Sequence, residues 1–525
     1  MLDLRGRPHY ASCFEGTINS SLIELRYLNY LNFSFNFFGR DVSKFIGSLT
    51  HLKYLNLSYS FNGENGIPFE LGNLLHLQYL DLQGNWLGGE FPTQFLNLSR
   101  LVQLNLAANQ LTGEIPDIFA NISSLVYLDL GWNFFTGTFP HSLGNLLQLN
   151  YLDLSFSYSS SNLDWLSDLT SLKTLKLASV NLGTVINWQQ KLSNLSHLQE
   201  LDLSGCNLVS SKFPLLFNHS ANLAILQLSD NYLTGSIPKS LLDICSLSVL
   251  DLPSNNMSGR FDDCVSTSTN CANKSLQHLV LRENQMIGSV PDLSQFSFLE
   301  ELDLQGNSLS GPIPKSMFDI CSLSVLNLGD NNLNGRLDDF IPTSTDCAHK
   351  SLQQLLGMNQ ITASAPNVSQ FSFLQELDLQ GNNLSGPIPK SLLNICSLRK
   401  LDLSSNILSG RLDDFVSTTP GCAKKSLQYL SLIGNQITGS VPHLSQFSSL
   451  KSLSLAENRL NGTLAKVQLL DLSFNNISGN IPKCLNNLSA LANQTTSSPT
   501  ISLYFYENHN GSSSDGINQY SASLM

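Results

Sequence analysis

The chain has 525 residues and a formal net charge of −12, from 28 Lys+Arg against 40 Asp+Glu. Only 13% of residues are charged, and with acids in excess there is no basic stripe for phosphates, so nucleic acid is excluded as a partner. The first residues lack a basic start followed by an apolar run, and no stretch reaches the roughly 18 apolar residues of a membrane span, so neither a leader nor an anchor is expected within this chain.

Residues 1–24 precede the regular pattern and read as a remnant N-terminal cap, with Cys13 alone in it. From Leu25 a pattern recurs with a period near 24 residues, and 25–145 is its most regular part. One unit places Leu74, Leu77, Leu80, Leu82, Asn85 and Leu87; the next places Leu98, Leu101, Leu104, Leu106, Asn109, Leu111, Gly113, Ile115 and Pro116. A fixed period of this size marks a solenoid, in which each unit buries its apolar side chains only against its neighbours. About nineteen coils are expected. Side chains alternate along a strand, so in Leu-x-Leu both leucines point inward. Stacked coils then form a parallel sheet on the concave face, with loops and 3-10 turns on the convex face. The asparagine column (Asn85, Asn109, Asn133 and onward) is polar yet must be buried, so its amide is expected to satisfy backbone groups of two adjacent coils.

Residues 146–221 are irregular: the Ile-Pro motif lapses, and Ser157, Val180 and Cys206 stand in for the asparagine. Trp165 and Trp188 fall in these back loops, where bulged coils are expected to bury them. Residues 222–491 return to regularity, with a three-coil super-repeat beginning at 244, 320 and 395. Each copy carries an insertion flanked by cysteines, Cys245/Cys271, Cys321/Cys347 and Cys396/Cys422, all at a spacing of 26. Three disulfides are predicted, each closing a loop that would stabilise the fold by roughly 3–4 kcal/mol. Cys264 has no mate in this scheme. Two coils are short. Leu352–Gly357 lacks one residue relative to Leu276–Leu281. Shortening a strand by one residue turns its inward side chains outward, but coils stack on both sides of this one, so a kink is expected. Near Asn461 a coil is cut to 17 residues. The tail 492–525 has no leucine period and reads as flexible.

Binding candidates lie on the concave face. Tyr30, Tyr54, Tyr79, Tyr127 and Tyr151, with Gln103 among them, form one column, an exposed aromatic stripe. Between the strand leucines runs an acidic column that includes Asp81, Asp129 and Asp153, suited to a basic peptide or to a structural role. Trp132 stands beside both. Sixteen N-x-S/T sequons, together with the paired cysteines, favour the secretory route, with Asn97, Asn121, Asn194, Asn218, Asn256, Asn383 and Asn476 as glycosylation candidates. No HExxH, phosphate-cradling GxxxxGK[ST], CxxC or GxSxG motif occurs, so no catalytic residue, metal or cofactor is expected.

Leu71-Gly72-Asn73-Leu74 and Leu143-Gly144-Asn145-Leu146, with the recurring Leu-x-Gly-x-Ile-Pro, resemble plant extracellular leucine-rich repeats. Ser21–Leu25, Phe45–Ser58, Glu200–Leu208 and Ile481–Leu488 are similar to plant receptor-like proteins, above all the group that resembles receptors for ethylene-inducing xylanase. The resemblance implies an α/β-type leucine-rich-repeat solenoid that is part of a longer receptor. It implies an ectodomain outside the plasma membrane, an anchor helix absent from this chain, and no kinase of its own. The partners it implies are an extracellular protein or peptide, in defence a microbial elicitor, and receptor-kinase co-receptors. Two other readings are a secreted inhibitor or decoy similar to polygalacturonase inhibitors, and the ectodomain of a receptor kinase.

Overall fold

The computed structural model describes residues 1–475 except 7–12, 40–41, 43, 64–65, 118, 158–162, 186–187, 211–221, 243, 266–274, 337–338, 340–351, 365–369, 418–420, 442–445, 462–469 and 472–474. Each coil contributes one three-residue strand centred on the first leucine of Leu-x-Leu, as in Tyr79–Asp81, Gln103–Asn105 and Tyr127–Asp129. These strands pair in parallel and in register, Leu80 beside Leu104 beside Leu128, in one twenty-stranded sheet. The inward leucines of successive rungs are fully buried and form one continuous core.

The first rung lies earlier than the sequence pattern suggests. Leu2–Asp3 pairs with Leu31 and Asn32, and the amides of Leu4 and Gly6 donate to Asn32 and Ser34. The segment read as a remnant cap therefore opens with a rung of the same sheet. The reason is local: Leu2-Asp3-Leu4 is itself a Leu-x-Leu strand.

After each strand the chain turns at the asparagine and then forms a second short strand that the sequence reading assigned to loops. Gly88–Glu90, Gln110–Glu114 and Phe134–Thr136 pair in parallel, as do Tyr232–Gly235, Asn256–Arg260 and Gln285–Ile287. Proline then ends the strand and caps a 3-10 helix, as Pro92 does for Thr93–Asn97 and Pro140 for His141–Asn145. These helices pack closely from rung to rung. A Cβ on Gly72 would lie 2.7 Å from both the Cβ and the carbonyl oxygen of Gln94, so the Leu-Gly-Asn-Leu glycine is required for room.

The asparagine ladder is present as expected. Asn109 Nδ2 donates to the carbonyls of Leu82, one rung back, and of Leu106 and Ala107, while its Oδ1 accepts from the amides of Asn85 and Leu87. Asn36, Asn284 and Asn359 belong to the same ladder. In the irregular coils Ser157 donates to the Leu154 carbonyl of its own rung, and Cys206 to that of Leu177 one rung back. Trp165 and Trp188 are both buried in the backs of these coils.

The short coil at Leu352 does not turn inside out. Gln354–Leu356 keeps register, with Leu355 between Leu326 and Leu377 and itself buried. Gly357 takes the second inward place: its amide donates to Asp378 and its carbonyl accepts from Asn382, the bonds that Leu281 makes to Asp303 and Asn307. The missing residue comes out of the turn before Asn359, where the complete coil has Glu283 in a left-handed conformation. The 17-residue coil is bridged as well: Leu453 pairs with Leu470, and the Leu460 amide donates to Asn475. The three super-repeat copies each supply three rungs: Val249–Asp251 to Glu301–Asp303, Val325–Asn327 to Glu376–Asp378, and Lys400–Asp402 to Ser452–Ser454.

Cys396 and Cys422 are joined, with a Cα–Cα distance of 4.8 Å. Cys245 and Cys321 are each in a disulfide too; Cys271 and Cys347 lie outside the described residues. Cys13, Cys206 and Cys264 carry free thiols.

Candidate binding face

In-register parallel strands repeat every ~4.8 Å, so identical side chains in one column lie over each other. The tyrosines obey this. Tyr30 stacks on Tyr54 at 4.2 Å between ring centroids and Tyr54 on Tyr79 at 4.1 Å; Gln103 interrupts; Tyr127 then stacks on Tyr151 at 4.2 Å. Their ring faces cover one another, so each tyrosine is half-buried. The expected exposed stripe is instead a stack that presents mainly ring edges.

The acidic column lies deeper still. Asp81, Asp129 and Asp153 retain only 7–8% of their exposure. Each accepts a hydrogen bond from the amide two residues on: Gln83 at 3.1 Å, Gly131 at 3.1 Å and Ser155 at 2.8 Å. The Tyr79 and Tyr127 hydroxyls donate to Asp81 and Asp129 at 3.3 and 3.2 Å. Burial, with Asp153 next door, pushes the Asp129 carboxyl up to about 7. Burial raises Asp81 and Asp153 as well. Close columns leave these short side chains at the floor of the face, tied to their own turns.

Exposure is concentrated one column further along, at the residue that precedes the ladder position. Trp132 is 58% exposed and stacks on Phe156 at 3.7 Å; Tyr59 stacks on Phe35 at 5.1 Å. Phe35, Tyr59 and Phe156 were missed in the sequence, although their signal, an aromatic residue directly before the ladder Asn or Ser, is visible there. Beyond these rungs the face turns polar. Lys176 pairs with Glu200 at 2.7 Å, His278 with Glu301 at 3.0 Å, and Lys400 with Asp378 at 3.3 Å, each across adjacent rungs.

Of the sequons, Asn97, Asn121, Asn194, Asn256 and Asn383 are exposed and lie off the large sheet. Asn32 and Asn56 lie in its strands and are buried, holding the amides of Ser34 and Ser58. The folded chain therefore does not present them for glycosylation. Asn218 and Asn476, like the tail 492–525, lie outside the described residues. Among the described residues no His/Cys/Asp/Glu cluster could hold a metal, and no helix is long and apolar enough to cross a membrane.

This ladder with its asparagine spine defines a leucine-rich-repeat protein. Family models agree, with a leucine-rich repeat region matching residues 10–269 and single leucine-rich repeats matching 298–320, 373–395 and 466–488. Receptor-like protein 35 of Arabidopsis thaliana is 31% identical over 314 residues, covering 58% of this chain and 29% of that protein. Receptor-like protein EIX2 of Solanum lycopersicum is 26% identical over 262 residues, 49% of this chain and 24% of that one. The plant peptide hormone receptor RGFR1 in complex with RGF2 superposes with a TM-score of 0.68 at 30% identity, covering 91% of this chain and 79% of that one. The Arabidopsis receptor kinase HAESA, in complex with the peptide hormone IDA and the co-receptor SERK1, gives 0.62 at 29% identity, with 93% and 76% covered. The chain belongs to the plant leucine-rich-repeat receptor-like proteins. It spans between a quarter and two fifths of the length of the curated receptor-like proteins it matches.

Proposed function

We propose that this chain is the ligand-recognition part of a cell-surface receptor, that its concave sheet binds an extracellular peptide or protein segment, and that this ligand is a microbial elicitor whose binding is relayed by partner receptor kinases in defence. The observation that carries the reading is the unbroken twenty-stranded ladder, from whose strands every exposed sequon among the described residues is absent. A face kept clear of glycans is open to a ligand along its length. The likeness to RGFR1 and HAESA, both described in complex with peptide hormones, supports a peptide ligand. The test is to pan a library of random short peptides against the full secreted chain. Enriched peptides should lose binding when Val249→Arg and Val325→Arg place long side chains in the middle of the face. Enrichment indifferent to both substitutions, or no enrichment at all, sinks the reading.

A further inference from the structure

We propose that the aromatic rim of the first rungs, Phe35, Tyr59, Trp132 and Phe156, is a docking row for a basic, apolar peptide segment; the inference rests on the peptide-binding reading above. All four residues sit at φ between 52° and 56°, in the left-handed region that bulky side chains rarely adopt. The turn requires that conformation but not an aromatic residue. The same column holds Ser254, Asp230, Glu283, Gly306, Gly381 and Gly434 in other rungs, also at positive φ. Large rings therefore occupy a strained position while remaining in solvent, with Tyr59 at 44%, Trp132 at 58% and Phe156 at 40% exposure. They stack on one another, but the backbone geometry does not call for them, and outliers of this kind point to function.

The rings form two stacked pairs, Phe35 on Tyr59 and Trp132 on Phe156, separated by rungs carrying Gly84 and Ala108. The Tyr59 ring leans over Gly84, where a Cβ would come within 2.3 Å of it. Trp132 has one face on Phe156 and is 58% exposed, and the next rung back carries the small Ala108 in this column. The Tyr59 ring thus covers Gly84, and the gap between it and Trp132 lies over the small Ala108, suited to an apolar side chain. The free indole face suits a guanidinium or ammonium group, for which tryptophan is the strongest aromatic partner. The chain carries −12 overall, so cationic residues are favoured over acidic ones.

The test uses the full chain and two labelled peptides of equal length, one alternating leucine with arginine and the other leucine with glutamate, read by fluorescence anisotropy. Trp132→Ala and Phe156→Ser copy residues that this column carries at Ala108 and Ser179, so both variants keep the fold. The Leu–Arg peptide should bind, the Leu–Glu peptide should not, and the double variant should weaken binding roughly tenfold or more. Tyr232→Ala, an exposed aromatic on the flanking strand, should change nothing. Equal affinity for both peptides, no binding of the Leu–Arg peptide, or unchanged affinity in the double variant overturns the rim assignment. The concave reading then stands or falls separately on the Val249 and Val325 variants. A chito-oligosaccharide that binds and is lost on Trp132→Ala reassigns the row to carbohydrate and also overturns the proposal.

Discussion

Asn109 ties two rungs together with five hydrogen bonds from one amide, all of them out of water. Removing it strands the amides of Asn85 and Leu87, while the carbonyls of Leu82, Leu106 and Ala107 each keep one donor, from Asn85 Nδ2, Asn133 Nδ2 and the Gly84 amide. Asn109→Ala should therefore cost about 3 kcal/mol in urea unfolding, more than an exposed asparagine such as Asn97. Asp129 makes a different point. Its carboxyl titrates near 7 in the folded chain against an ordinary value of 3.8. The folded state therefore holds this proton more tightly than the unfolded chain does. The resulting stability is complete below about pH 4 and is lost as pH rises through 7. Asp81, Asp153, Asp303 and Asp378 shift the same way. The solenoid should melt higher at pH 5 than at pH 8. Asp129→Asn, which copies what Asn105 already does for the Ala107 amide, should flatten that slope and add about 1 kcal/mol at pH 8. At this scale the ladder was legible in the sequence because a buried polar residue recurs at fixed spacing. The state of the tyrosines and aspartates was not. Whether a strand side chain is exposed depends on the columns beside it, and one coil's sequence does not contain its neighbours.

The 3-10 helix and the strand meet different limits. Gly72 lies against the next rung's Gln94, so Gly72→Ala should destabilise by about 1–3 kcal/mol through overpacking, read as a drop in melting temperature. Gly357 is the opposite case. A Cβ there would meet only Asn359 Nδ2, at 3.4 Å, and the backbone is not left-handed. Gly357→Ala should therefore stabilise by about 0.5–1 kcal/mol. Two glycines that look alike in the sequence have opposite expected signs because only one faces a neighbouring backbone. The main strands were readable from Leu-x-Leu alone. The second strands were not, because Leu-x-Gly-x-Ile-Pro has the composition of a turn, and its pairing arises only when coils stack. The short coil at Leu352 keeps its strand in register for a related reason. Flanking rungs hold the strand in register, and a turn gives up a residue more easily than two ladders break.

Among the described residues the strands of the large sheet pair only with adjacent rungs, and a longer reach such as Phe318 on Phe371 spans one rung more, so stability is a sum of local terms and the least stable rung sets where opening begins. Hydrogen exchange should be fastest, within the interior of the ladder, around Gly357–Ile361, where an inward leucine is missing. Gly357→Ala should slow exchange there and leave the Tyr79–Asp153 rungs unchanged. Uniform exchange along the ladder would show that the missing side chain is compensated elsewhere.

The three near-copies beginning at 244, 320 and 395 each span three complete rungs, and each ends where the next begins. Their stretches of near-identical sequence make them natural points for unequal crossing-over between gene copies. An exchange between any two of them would add or remove a whole number of rungs and rejoin matching ladder ends. A gene built this way can change the reach of its product in steps of three rungs without losing the register that holds the protein together.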